Sequence, residues 1–130
     1  MNENRVCMLH WELMNRKTLT LIFLITGLAL VLTWFGIDKF RNGYMWVGFL
    51  PLWTDGFLGV SRDVWLIVIG ILELVFAALI IIPVRRVRQI GATLIVLHFL
   101  SILSQVGINN DIGMRDTGLL FMSMSLLALL

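Results

Sequence analysis

Glu73 and His98 are the residues of this chain whose types and surroundings suit chemistry. Glu73 is the only charge in the run VWLIVIGILELVFAALIIIP (Val64–Pro83), and His98 stands inside IGATLIVLHFLSILSQVGI (Ile90–Ile108). An ionisable group in the middle of an apolar span costs roughly 2.5–3.5 kcal/mol on insertion scales, so Glu73 is expected to face the protein interior and to have a partner. Low dielectric disfavours an ionised carboxyl, while an imidazole takes up and releases protons near neutral pH. Such a pair can handle protons or hold a ligand. Used for structure alone, it locks two helices together.

Depth brings the two side chains to one level. Glu73 lies roughly nine residues in from Val64 and His98 roughly ten in from Ile108, about 14–15 Å along each helix. If the two spans are antiparallel neighbours, Glu73 and His98 meet. Thr26 and Thr33 of the first span, or a water, are the competing partners for Glu73. Gly91, Leu94, His98, Ser101 and Gln105 recur at steps of three and four and form one stripe along a helix. Gly70, Glu73 and Ala77 follow the same spacing on the preceding span. Small residues let helices approach, and polar ones bond across the contact.

The elements that must carry these residues are membrane helices. Of the 130 residues, 59% are hydrophobic and only 14% charged, with a mean hydropathy of +0.95. Soluble domains are about 45–50% apolar and about 25% charged. The spans are expected at 18–37, 64–83, 90–108 and 117–130, in one transmembrane domain (18–130) preceded by an N-terminal segment, 1–17. The run after Arg16 and Lys17 is longer than the roughly 7–15 residues of a signal-peptide core and ends without a small-residue cleavage site, so it reads as a retained helix. The last span is short, about 21 Å, with Asp116 as its expected N-cap. Pro83 and the basic run Arg85–Arg88 are expected to make a tight turn between the second and third spans. The single cysteine, Cys7, excludes an internal disulfide, and its proximity to His10 is too sparse for a metal site. No phosphate-binding glycine loop, zinc spacing or haem attachment motif appears.

Between the first two spans lies DKFRNGYMWVGFLPLWTDGFLGVSRD, Asp38–Asp63, with Tyr44, Trp46, Phe49, Trp53 and Phe57. Tryptophan and tyrosine favour the membrane–water interface, so the segment reads as an interfacial anchor or, alternatively, as a lid over the mouth of the helices. Pro51 and several glycines exclude one long helix. A polar cluster is expected at the same face: Asp38, Lys39, Asn109, Asp111, Arg115 and Asp116, serving as interfacial ion pairs and caps or as a binding-site entrance at which Lys39 and Arg115 attract an anion. Four spans place Arg5, Arg16, Lys17, Arg85, Arg86 and Arg88 on one side and Lys39, Arg41, Arg62 and Arg115 on the other. The larger basic set predicts both termini in the cytoplasm, in a plasma or inner membrane. These short basic clusters, and a net charge of only +2, suit lipid headgroups and exclude a nucleic-acid partner.

The order of these features resembles the DoxX family of small four-helix membrane proteins. The first span ends G-x-x-K-F (Gly36, Lys39, Phe40), an aromatic proline-containing segment follows, the second span reads G-x-L-E-L (Gly70, Leu72, Glu73, Leu74) with basic residues after it, and the fourth opens R-D-x-G-L-L (Arg115, Asp116, Gly118, Leu119, Leu120). The likeness covers the chain from about Gly27 onward. It implies that the family's glutamate, lysine and Arg-Asp pair are Glu73, Lys39, Arg115 and Asp116. It also implies a membrane partner in redox chemistry, some members being linked to thiosulfate:quinone oxidoreduction and others to oxidative stress.

The expected protein is thus all-α: an integral membrane four-helix bundle with an aromatic-rich interfacial loop between helices 1 and 2. Glu73, His98, Ser101 and Gln105 are the candidate proton- or ligand-handling residues, with no metal site and no evident cofactor beyond a quinone. The expected partners are the lipid bilayer, an oxidoreductase, soluble or in the membrane, and a second copy of the chain, because a bundle this small often needs another chain to bury its polar stripe. The alternatives are a small transporter whose polar path runs past Glu73 and His98, or a scaffold without chemistry.

Overall fold

The structure, a computed structural model, describes residues 3–130. Every regular element among them is helical. Four are long: α1 (Glu3–Arg41), α3 (Arg62–Ile81), α4 (Arg85–Val106) and α5 (Asp111–Leu129). All four are long and apolar enough to cross a membrane, which is consistent with a multi-pass membrane protein. A short α2 (Gly43–Trp46) and three 3-10 turns (Val47–Phe49, Leu52–Thr54, Phe57–Gly59) make up the connection from α1 to α3.

α1 packs on α3, α3 on α4, α4 on α5, and α5 returns to α1. Leu28 and Leu32 of α1, Ile80 of α3, Ile95 of α4 and Leu126 of α5 fill the middle of this array. Phe23, Leu30, Trp34, Leu97 and Phe121 point outward and are largely exposed. An apolar exterior removes the hydrophobic drive for helices to associate within lipid, so close backbone approach and polar contacts must hold them. The glycines supply that approach. A Cβ on Gly36 would stand 3.0 Å from the Gly70 carbonyl oxygen, and one on Gly70 would stand 3.0 Å from that of Gly36. Between α3 and α4, a Cβ on Gly91 would meet the Leu79 Cβ at 2.9 Å.

Several boundaries differ from the expected ones. α1 has 39 residues, about 58 Å, so residues 3–17 continue the first span as one helix; residues 1 and 2 lie outside the described ones. The helix also runs on to Arg41, past the expected end at Ile37, because nothing breaks it before Asn42-Gly43. The basic run Arg85–Arg88 is the first turn of α4 and not part of the preceding turn. Arg88 there donates to the carbonyls of Ile80 (3.1 Å) and Ile81 (3.2 Å), satisfying acceptors left open at the end of α3. α4 stops at Val106 because Gly107 has φ +73°, a region that favours glycine.

The fourth span is the largest correction. It has 19 residues, about 28 Å, and begins at Asp111 instead of Thr117. Its cap is Asn110, whose side-chain oxygen accepts from the Gly113 N–H at 2.8 Å. Gly113 is confined by the Gly107 carbonyl, which a Cβ would strike. Asp116, the expected cap, lies a turn and more inside the helix. The shortfall against the bilayer thickness therefore disappears.

Candidate functional site

Three helices bring their polar residues to Glu73. The Gly36–Gly70 contact draws the end of α1 against α3, and Lys39, one turn further along α1, reaches across. Its Nζ lies 2.6 Å from Glu73 Oε2. From the other side, His98 of α4 places Nε2 3.2 Å from Glu73 Oε1. Lys39 is 7% exposed and Glu73 4%. Each carboxylate oxygen thus has a partner on a different helix, and the expected Glu73–His98 meeting is present. Thr26 and Thr33 take no part in it.

A second ion pair stands beside the first. Asp116, 2% exposed, accepts from Arg115 Nε at 2.7 Å. The Arg115 guanidinium carbon lies 4.1 Å from the Phe35 ring centroid and 5.8 Å from that of Trp46. Lys39 Nζ lies 4.4 Å from the Trp46 ring centroid and 5.9 Å from that of Phe35. The two cations therefore share two aromatic faces, and each is matched by its own carboxylate. Aromatic faces attract cations through their quadrupole, most strongly where water is excluded.

These groups line one cavity of ≈ 360 Å³. Glu73, Lys39, His98, Arg115 and Asp116 are in its wall, as are Ser101 and Gln105 near its rim. The connection between α1 and α3 roofs it with Trp46, Phe49, Pro51, Trp53, Thr54 and Phe57. Within the roof Trp53 meets Phe57 at 5.5 Å between centroids, and Trp46 rests on Phe35 of α1 at 5.4 Å. It is also tied to the helices. Trp46 Nε1 donates to Asp38 Oδ2 at 2.8 Å, and Trp53 Nε1 reaches Gln105 Oε1 at 3.5 Å.

The expected polar cluster therefore divides. Lys39, Arg115 and Asp116 belong to the cavity. Asp38 sits beside it, binding Trp46 and Asn42 (2.6 Å). Asn109 and Asp111 are exposed at the α4–α5 turn and do not line the cavity. Of the two readings of this cluster, ion pairs or an anion-attracting entrance, the geometry shows ion pairs for Lys39 and Arg115, each on a carboxylate.

Sequence reasoning missed the Lys39–Glu73 bond because it ended the first span at Ile37 and left Lys39 in water. The available signal was the uninterrupted helix-compatible run to Arg41, with Phe35 one turn before Lys39 on the same face. Trp46 belongs to the segment read as an interfacial anchor or, alternatively, a lid. Nothing in its sequence neighbourhood indicates that its ring covers two cations.

Comparison of the chain with protein-family models, with curated proteins and with solved structures returned no match.

Proposed function

We propose that this chain is a multi-pass, four-helix-bundle protein of the cell membrane that binds a small neutral ring compound of the quinone class beneath the aromatic connection. On this reading it is a DoxX-like membrane subunit with both termini in the cytoplasm. A partner oxidoreductase supplies electrons to the bound quinone, and Glu73 and His98 relay the protons that its reduction takes up. The observation that carries the reading is Glu73 bridging Lys39 and His98 in the wall of an aromatic-roofed cavity. Because its two ion pairs cancel, the wall presents hydrogen-bonding groups without net demand for a counter-ion, which suits a neutral ligand bearing carbonyl oxygens. Lys39 Nζ carries N–H groups beyond the one on Glu73 and can donate to such an oxygen. Aromatic rings around them fit the flat faces of a ring.

A permeation path fits less well. Below the cavity the helices close on Leu28, Leu32, Ile80, Ile95 and Leu126, all fully buried, and the buried Ser123 hydroxyl is turned back onto its own helix at the Leu120 carbonyl (2.7 Å), so the floor is predominantly apolar. A transporter would need a continuing polar route.

The test uses the cavity's own tryptophans, Trp46, Trp53 and Trp65. Titrating the protein in nanodiscs with a short-chain quinone should quench their fluorescence saturably. His98→Ala should weaken binding about tenfold, roughly 1.4 kcal/mol, by removing the ring that holds Glu73 Oε1 in place in the cavity wall. Quenching that rises linearly with quinone, identically in both proteins, would mean simple partitioning into lipid and would sink the proposal.

A further inference from the structure

Asp116 keeps one acceptor open inside the aromatic-roofed cavity. Its side chain is 2% exposed, and Arg115 meets only one of its oxygens, with Nε and Nη2 both 2.7 Å from Oδ1. Oδ2 takes no hydrogen bond among the described residues. No polar side-chain atom among them is both sealed from solvent and without a partner, so the little exposure that Asp116 retains falls on Oδ2. Asp116 lines the cavity, and there Oδ2 opens. Glu73 differs, because His98 meets its Oε1 and Lys39 its Oε2. His98 Nδ1 is unpartnered too, but whether it donates or accepts follows the tautomer. Asp116 Oδ2 is thus the one carboxylate oxygen of the wall left for a ligand. As a carboxylate paired with Arg115 it can only accept.

We propose that Asp116 Oδ2 accepts from a hydroxyl of the ligand, so that the site binds a hydroquinone more tightly than the matching quinone. This preference rests on the ring-compound reading of the cavity and adds the redox form. Reduction brings two electrons, from the partner oxidoreductase, and two protons, one to each ring oxygen. It turns two carbonyl acceptors into hydroxyls that must donate. A quinone sets a carbonyl oxygen against Asp116, leaving a desolvated acceptor without a donor. The hydroquinone gives Asp116 its donor and still offers an oxygen lone pair to Lys39. Tighter binding of the reduced form also makes the bound quinone easier to reduce. Each tenfold of preference raises its two-electron potential by about 30 mV.

Isothermal titration calorimetry of the full chain in nanodiscs, without oxygen, tests this with three short-chain ligands: a hydroquinone, the matching quinone, and the hydroquinone dimethyl ether. The wild type should bind the hydroquinone about tenfold more tightly than the quinone. The ether, reduced but without an O–H, should bind no more tightly than the quinone. In Asp116→Asn, Arg115 should hold the amide oxygen and leave the NH2 donor on the cavity side, so the preference should vanish or reverse. The preference is a ratio within one protein, so a loss of stability does not mimic its loss, and the three-ligand series on the wild type stands should the variant not fold. Equal affinity for hydroquinone and quinone, an ether as tight as the hydroquinone, or an unchanged preference in Asp116→Asn would overturn the role of Asp116 and leave the ring site standing. Heats that saturate with none of the three ligands would remove the ring site itself, and this preference with it.

Discussion

At the aromatic end of the helices every cation in the cavity faces a carboxylate, Lys39 on Glu73 at 2.6 Å and Arg115 on Asp116 at 2.7 Å. At the basic end Lys17, Arg85 and Arg88 line a cavity of similar size without any acidic side chain. Burial separates the two. Lys39, Glu73 and Asp116 are nearly closed off, and a charge so placed must be neutralised by its neighbours. Lys17 and Arg85 are exposed, where water or a headgroup can serve. A neutralised wall selects a ligand by shape and hydrogen bonding, whereas exposed cations can be met by water or by main-chain oxygens, as Arg85 is by Leu130.

The contrast breaks most visibly at Lys39. Lys39→Met should cost about 3 kcal/mol or more in unfolding experiments, because Glu73 loses the cation that meets its charge. The double variant Lys39→Met/Glu73→Leu should recover most of that loss, since removing both charges is far cheaper than stranding one. Full recovery of stability together with loss of quinone quenching would assign the pair to binding. Unchanged quenching would leave it as interhelical glue.

A smaller effect is expected where the pair is positioned. Gly36→Val should force α1 away from α3 and cost about 1–3 kcal/mol by overpacking. Its effect should be sub-additive with Lys39→Met in a double-mutant cycle, because both act on the Lys39–Glu73 contact. Strict additivity would mean that the glycine contact and the ion pair are independent. The smallest effect belongs to the basic end. Lys17→Gln should shift stability by no more than about 0.5 kcal/mol in lipid-free detergent. A large loss there would show that the basic cavity, too, is closed by internal pairing.

Much of this arrangement was legible in the sequence, for reasons that can be traced to particular residues. The helices could be read because apolar runs of membrane length are unmistakable. The Glu73–His98 contact could be read because helical rise converts sequence position into depth. Asn110 as a cap was not legible: it competes with Asp111 and Asp116 nearby, and only Gly113 packed against Gly107 fixes where the helix starts. Nor was Lys39. A lysine after an apolar run ordinarily marks the water boundary, and the Gly36–Gly70 approach that carries it to Glu73 is a property of two helices together. The cavity roof was legible only as one of two alternatives, anchor or lid, since its aromatic residues would look identical spread on a membrane surface.

The place where α1 stops has a mechanical consequence. Phe40 lies against Gly70 and Gly43 against Leu66, so α1 ends while α3 still has a turn to run towards Arg62. At that level three walls are helical and the fourth is the chain from Gly43 to Gly59. Most of its backbone bonds there are local, such as Leu50 N–H to Val47 O and Thr54 N–H to Pro51 O, and the Phe57 carbonyl accepts from Trp65 Nε1 of α3 at 3.4 Å. The connection is thus held to the long helices by side-chain contacts and not by a shared backbone ladder. Moving the connection would break the Trp46–Asp38, Trp53–Gln105 and Trp65–Phe57 bonds and lift Trp46 from Phe35, Lys39 and Arg115, but would unwind no long helix.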